Sequence, residues 1–352
     1  MAETREKKDL LAALQKEPVI CAEGYLFELE RRGYVRAGAF VPEVLLDHPE
    51  VVEALHLDFV RSGSDVVEAF TYYAHRERLG AVGLLETVEE INRRALRIAK
   101  KVATETNTFV AGNICNTNVY VPSEEKRVES GEKARAMFRE QIQWAVEEGV
   151  DFIIAETLDY VGEALIALEE IKRAGLTAVV TLSCHSDERT WDNVDIVEAC
   201  LQLEKAGADV IGLNCHRGPK TMLPILERLS KALTVPIAAL PVPFRTTEEE
   251  PTMQKLTDPT LPTESKKAFP IALDPFVCNR FEIAEFTKAA QQLGVKYFGL
   301  CCGTQPHHVR SMALALGKTP AAAKYSPDMS KHFILGSGES TTEANRSHAG
   351  QL

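Results

Sequence analysis

The stretch "KAGADVIGLNC" (Lys205–Cys215) reads as the end of an amphipathic helix, a glycine stop and then a buried strand. The phrase recurs as "EEGVDF" (147–152) and "QLGVKY" (292–297). A chain that keeps passing from helix through glycine to an apolar strand is building parallel βα units, because parallel neighbours need a crossover connection. Eight apolar runs fit as strands: residues 18–24, 65–73, 109–114, 151–157, 177–183, 209–215, 236–242 and 297–302. Helical patterns follow them, opening near residues 49, 87, 132, 162, 193, 221, 281 and 306. Near-continuous apolar strands belong to a sheet covered on both faces. The pattern predicts an α/β fold, a (β/α)8 TIM barrel forming one domain over residues 1–318. A doubly wound open sheet fits less well, since no Gly-rich phosphate loop follows the first strand.

Two segments fall outside the pattern. Residues 243–276 are rich in Pro and Thr and lack a period, which predicts a long mobile loop after strand seven, of the kind that forms lids. Residues 319–352 read as a polar, flexible C-terminal tail.

The chain has 352 residues, 45% hydrophobic and 26% charged, with a net charge of −11. It can bury a large core. The acidic balance argues against nucleic acid or an anionic membrane surface as a partner. The N-terminal "MAETREKKDLLAALQKEP" lacks the apolar core of a secretory signal, and no run is long enough to span a bilayer. A cytoplasmic enzyme is expected.

The eight cysteines stand at 21, 115, 184, 200, 215, 278, 301 and 302. In a large chain without a signal, clustered cysteines point to metal or catalysis rather than to disulfides. Cys215 ends strand six, and Cys301 with Cys302 ends strand eight. In a barrel both ends face the same mouth. Three thiolates there suit an open zinc site, with a fourth position left for water or substrate. Strand alternation sends adjacent residues to opposite faces, so the chain must turn at Cys301–Cys302, and Gly303 supplies the freedom. A buried cysteine is ordinarily just a small hydrophobe; three at one mouth favour metal. No HExxH motif is present, and three thiolates suit the activation of a sulfur ligand better than hydrolysis.

"NC" after strand six and "GLCCG" after strand eight resemble the zinc-dependent homocysteine S-methyltransferases, nearest to their betaine-using members. The resemblance extends through "ELERRGYVRAG", "HPEVVEALHLDFVRSGSDVVEAFTYYA", "GVDFIIAET", "IGLNCH" and "CCGTQPHHVR", spanning residues 18–315. It implies Zn2+ held by Cys215, Cys301 and Cys302, with homocysteine as methyl acceptor. It places Glu156 and Gly24 in acceptor binding. Where the family carries aspartate in a D-G-G pattern this chain has Ala22, and Glu23 is expected to supply the carboxylate, although a one-residue shift turns a strand side chain to the other face.

The resemblance also implies an onium methyl donor, quaternary ammonium or sulfonium, of a kind that aromatic faces hold by cation–π attraction. Tyr73 matches a donor-binding tyrosine, Phe40 stands where the family carries tryptophan, and Thr157 stands where it carries a second tyrosine. Of the adjacent Tyr72 and Tyr73, only one is expected to line the mouth. The expected reaction is in-line transfer of a methyl group to homocysteine, giving methionine. Betaine is the first expected donor, and S-methylmethionine or dimethylsulfoniopropionate the alternative. A barrel with a structural zinc and no methyl transfer is the competing reading. No catalytic residue is expected beyond the zinc ligands. His216, His307, His308, Cys184 and the amides of "GNICNTN" (112–118) are lesser candidates. The chain ends short of the C-terminal arm that such tetramers use, so a monomer or homodimer is expected.

Overall fold

The computed structural model describes residues 6–336 and 342–349. Eight parallel strands close into a barrel in sequence order: β1 (Val19–Ala22), β2 (Val66–Glu68), β3 (Phe109–Cys115), β4 (Phe152–Leu158), β5 (Thr177–Ser183), β6 (Val210–Asn214), β7 (Ile237–Leu240) and β8 (Val295–Leu300). β8 returns to pair with β1, Val19 through Ala22 lying opposite Tyr297 through Leu300. The TIM barrel expected from the sequence is therefore the fold.

Helix α1 (Leu10–Lys16) precedes the barrel, and α2 (Tyr25–Arg31) and α3 (Val44–Asp47) fill the connection leading to α4 (Pro49–Ser62). After β2 come α5 (Arg76–Ala81) and α6 (Val88–Thr106). One long helix then follows each strand: α7 (Arg127–Glu148), α8 (Val161–Arg173), α9 (Ile196–Lys205), α10 (Pro219–Ala232), α11 (Arg280–Gln292) and α12 (Pro306–Ala315). Their ends obey local chemistry. Proline opens α4, α10 and α12, where its missing N–H costs nothing. Asn279 and Glu282 form a reciprocal capping box on α11.

Period-two alternation sorts the strand residues into two cores. Cys21, Val66, Ala111, Phe152, Ile154, Val179, Val210, Leu240 and Tyr297 fill the lumen, joined by Leu10 and Leu14 of α1. Ile20, Val67, Val110, Ile153, Val180, Ile211, Ala239 and Phe298 face outward against the helices. The lumen is thus packed, and space opens only toward the C-terminal ends of the strands.

Two local expectations change. Strand two, read to residue 73, stops at Glu68, because Thr71 N–H bonds the Ala69 carbonyl at 2.7 Å and turns the chain off the ladder. The segment 243–276, expected as a mobile loop without structure, is packed. Phe244, Met253, Leu256, Ala268 and Leu273 are buried, and bridges tie Phe244 to Val277 and Thr257 to Lys267. Its apolar residues lack a period because they dock singly onto the rim. Beyond α12, short turns at Ala321–Tyr325 and Met329–Lys331 lead to a last helix, α13 (Glu343–Ala349). Among the described residues, no helix is long and apolar enough to cross a membrane.

His56 on α4 is buried beside Tyr25, whose hydroxyl lies 3.0 Å from Nδ1, and burial lowers its pKa to about 3. A depressed histidine binds its proton in the unfolded chain first, so its contribution is lost as pH falls through the unfolded value of about 6.5. Chemical denaturation of wild type and His56→Gln across pH 7 to 4 is expected to diverge. The stability difference should move against wild type by up to about 1.4 kcal/mol per pH unit below about 6. Parallel curves would mean that His56 does not stay neutral in the fold.

Candidate functional site

The end of β7 sets the positions of the cysteines. β7 lies between β6 and β8; Cys215 N–H donates to the Leu240 carbonyl at 3.0 Å and Cys301 N–H to the Pro241 carbonyl at 2.9 Å. Just past the ladder the backbone breaks. Cys215 and His216 take left-handed φ values of 58° and 55°. After Cys301 a turn closes through Thr304, whose N–H and hydroxyl both bond the Cys301 carbonyl, at 3.1 and 2.6 Å. This turn lets adjacent Cys301 and Cys302 aim their sulfurs at the same point.

Cys302 Sγ lies 3.7 Å from Cys215 Sγ and 3.9 Å from Cys301 Sγ, and all three sulfurs fall within 4.8 Å of one another. Tetrahedral zinc with Zn–S bonds of about 2.3 Å needs sulfurs about 3.8 Å apart. The trio fits such an ion, and its sulfur chemistry suits it. Hydrogen bonds from Cys301 and Cys302 hold the Cys215 thiol well below its usual range. Burial raises Cys301, and the Cys215 interaction raises Cys302. Asn214 Nδ2 lies 3.7 Å from Cys301 Sγ and donates to Glu156 Oε2 at 2.9 Å, linking the thiols to the carboxylates beside them.

Those carboxylates line a cavity of about 30 Å3 together with Gly24, Tyr72, Asn113, Cys301 and Cys302. Glu23, Glu68 and Glu156 are all buried, and no lysine or arginine lines the cavity. Asn113 Nδ2 donates to Glu68 and Glu156, each at 2.5 Å. Both Glu23 carboxylate oxygens and Asn113 Oδ1 are buried without a hydrogen-bond partner. Burial raises the pKa of all three acids, that of Glu156 to about 7. Glu23, Glu156 and Cys301 bring ligating atoms within 4.8 Å of each other. The one-residue shift at Glu23 does not turn it away from the mouth, because β1 ends at Ala22 and Gly24 is left-handed at φ 93°. A Cβ on Gly24 would sit 2.6 Å from the Cys301 carbonyl, so only glycine lets these two strand ends meet.

A second cavity of about 610 Å3 adjoins the first, sharing Leu26, Tyr72 and Cys302. Phe40, Tyr73, Arg78, Asp159, Trp191 and Cys215 are among its walls. Tyr72 and Tyr73 both line it, their rings 4.3 Å apart, against the expectation that only one would. The cause is again the backbone: Tyr73 has φ 57°, which cancels strand alternation. Of the non-glycine residues with positive φ, Phe40, Tyr73, Asn118, Thr157, Cys215 and His216 all line this cavity. Such strain collects where surrounding structure fixes a functional geometry.

The lesser candidates separate. His216 faces the cavity, with its ring centre 4.7 Å from that of His185. His308 is structural: it caps α12 and lies 3.0 Å from the Cys278 carbonyl. Cys184 is buried away from both cavities, beside the His185 carbonyl. The amides of Asn116 and Asn118 bond the Thr157 carbonyl and Asn116 itself. Sequence reasoning missed Glu68, Arg78, Asp159, His185 and Trp191. A charged residue inside the apolar run "DVVEAF" was the available signal for Glu68. Asp159 accepts from the Ser183 hydroxyl and lies 3.1 Å from His185 Nε2, while Trp191 stacks on His185 at 4.9 Å.

Residues 19–316 match the family model described as homocysteine S-methyltransferase. The betaine–homocysteine S-methyltransferase 1 of Xenopus tropicalis is 34% identical over 348 residues, covering 96% of this chain and 82% of that protein. The S-methylmethionine–homocysteine S-methyltransferase of Mus musculus is 33% identical over 342 residues, covering 95% and 88%. A crystal structure of the homocysteine methyltransferase MmuM from Escherichia coli, in its metallated form, aligns with TM-score 0.66 at 20% identity over 86% of this chain and 98% of that one. At that identity the match is one of fold.

Gly24→Ala is expected to push the Cys301 carbonyl and so misplace the thiols without unfolding the barrel. With zinc added back, the amount retained after gel filtration should fall to about a tenth of wild type or less while far-UV circular dichroism is unchanged, as expected if the three thiols hold the ion and one of them leaves. Full zinc retention would show that the close approach of Gly24 does not govern the cluster.

Proposed function

The chain belongs to the homocysteine S-methyltransferase family and is an S-methyltransferase, and on that premise we propose that it methylates homocysteine with an onium donor at a zinc site formed by Cys215, Cys301 and Cys302. One observation carries the reading: the thiol trio adjoins the carboxylate pocket in which both Glu23 oxygens lack a hydrogen-bond partner, with Cys301 within 4.8 Å of both Glu23 and Glu156. An amino acid with a sulfur at one end and an ammonium at the other suits both. Bound zinc supplies positive charge that keeps an incoming thiol deprotonated and nucleophilic at neutral pH.

The chain's own residues do the rest. Glu23 takes the acceptor's ammonium, whose N–H groups find unsatisfied acceptors in Glu23 Oε1, Glu23 Oε2 and Asn113 Oδ1, and Glu156 beside them adds its charge. Gly24 keeps the β1 end close enough for this grip. Asn214 holds Glu156 in place through Nδ2 and fixes the Thr157 backbone through Oδ1, at 2.8 Å. The donor occupies the larger cavity, where Phe40, Tyr72 and Tyr73 offer aromatic surface to its cation. Cys302 and Tyr72 belong to both cavities, so the methyl carbon can meet the acceptor sulfur without crossing solvent. No proton donor to the leaving group is required, because an onium departs as a neutral amine or sulfide. Rate enhancement then rests on alignment.

Betaine is the favoured donor, in keeping with the aromatic lining and with the betaine–homocysteine S-methyltransferase 1 of Xenopus tropicalis among the relatives. S-methylmethionine is the second reading, favoured by Asp159. That buried carboxylate lines the donor cavity and would suit an α-ammonium that betaine lacks.

Cys215→Ala is expected to abolish both zinc retention and turnover; full activity in that variant would remove Cys215 from the ligand set. Glu23→Gln should raise the homocysteine KM by about tenfold or more, the usual effect of losing one charged hydrogen-bond partner, and leave the donor KM unchanged. An unchanged homocysteine KM would assign the ammonium to other groups. Methionine formation measured with betaine, S-methylmethionine and dimethylsulfoniopropionate identifies the donor, and no product from any of them would refute the donor assignment.

A further inference from the structure

Arg78 stands at the wall of the larger cavity, in the first turn of α5 and partly buried. Its guanidinium carbon lies 4.4 Å from the centre of the Tyr73 ring. Nη2 donates to the Ala39 carbonyl at 2.9 Å, which ties Arg78 to the backbone just before Phe40. A guanidinium carries five N–H donors in a planar fork. Among the described residues that backbone bond is its one hydrogen bond, and no carboxylate pairs with it. The carboxylate that shares the cavity, Asp159, is engaged by Ser183 and His185. A stacked, immobilised and unpaired fork therefore borders a space that has to receive a cation.

That arrangement conflicts with a donor that is only a cation. Arg78 repels an onium, and it already covers one face of Tyr73. The conflict disappears if the donor is a zwitterion, with an acid group tethered to the onium. We infer that Arg78 is the carboxylate anchor of the donor cavity, binding the donor's acid group and driving its methyl-bearing cation away toward Tyr72, Phe40 and the thiols. Attraction at one end and repulsion at the other fix the direction of the donor, which no aromatic face does alone. Planar bidentate pairing favours arginine over lysine for this task. The inference deepens the methyltransferase reading and rests on it. It assigns Arg78 to donor specificity and makes Tyr73 in part the platform that holds Arg78.

The test compares donors with their own head groups on the zinc-loaded full chain. Calorimetric titration with betaine, dimethylsulfoniopropionate and S-methylmethionine is set against tetramethylammonium and trimethylsulfonium, which carry the cation without the acid. Wild type is expected to bind at least one acid-bearing onium about tenfold or more tighter than its bare head group, as a charge-assisted pair provides. Arg78→Gln should erase that preference while binding the bare cation as well as wild type or better. Arg78→Lys should restore part of it, and this variant also serves if Arg78→Gln lowers the thermal midpoint. In turnover, Arg78→Gln should raise the donor KM about tenfold or more and leave the homocysteine KM unchanged. A preference that survives in Arg78→Gln, an equal loss for both ligand classes, or no preference in wild type would each overturn the assignment. Acid-selective binding in wild type with no methionine formed would instead refute the proposed transfer from these donors to homocysteine, and Arg78 would keep its anchor role.

Discussion

Two backbone hydrogen bonds, from Cys215 N–H to the Leu240 carbonyl and from Cys301 N–H to the Pro241 carbonyl, govern the chemistry of this protein. They clamp the ends of β6 and β8 to the end of the strand between them. Neither cysteine can shift without breaking a ladder bond buried in the sheet, where a lost partner costs about 1–3 kcal/mol. The placement of Cys215 against Cys301 is therefore a property of barrel closure, while the turn through Thr304 brings in Cys302. Glycine completes the clamp on the other side: Gly24 admits the Cys301 carbonyl, and a Cβ on Gly303 would lie 2.5 Å from Phe244 Cζ.

Around that centre the charge is one-sided. Three buried carboxylates line the smaller cavity beside Cys301 and Cys302 without a cationic side chain. Burying like charges together is costly unless they are protonated or paired. Here burial drives the acids toward their neutral forms, and Asn113 and Asn214 spread what charge remains. A floor so lined favours positive charge over negative. Basic side chains, Arg78 and Lys255, line the adjoining larger cavity instead, the space proposed for the donor.

The fold was legible because its signals are local and repeated. Helix, glycine and apolar strand recur often enough to count eight units, and seven of the eight strand positions agree closely with the structure. The second strand was read too long because "AFTYY" has strand-like composition, while Thr71 turns it through a single backbone bond. At the site, Cys215, Cys301, Cys302, Glu23, Gly24, Glu156, Phe40 and Tyr73 all border the two cavities. Left-handed φ values were invisible to a reading based on alternation, and so Tyr72 was set aside in favour of Tyr73, and the one-residue shift at Glu23 stood against its expected role. Asp159, His185 and Trp191 come from the loops after β4 and β5 and meet only once the barrel closes. No spacing in the sequence announces such a meeting.

The backbone at the rim also has a bearing on thermal endurance. Asn118 tolerates the left-handed region, but Phe40, Tyr73, Thr157, Cys215 and His216 held there amount to stored tension, on the order of 1 kcal/mol or more at each position. Glycine or asparagine at Thr157 or His216 would relax it, and heat tolerance would rise. The gain would come from letting the mouth lose its fixed shape. A search for hardier variants would therefore be drawn first to the residues that turnover can least spare.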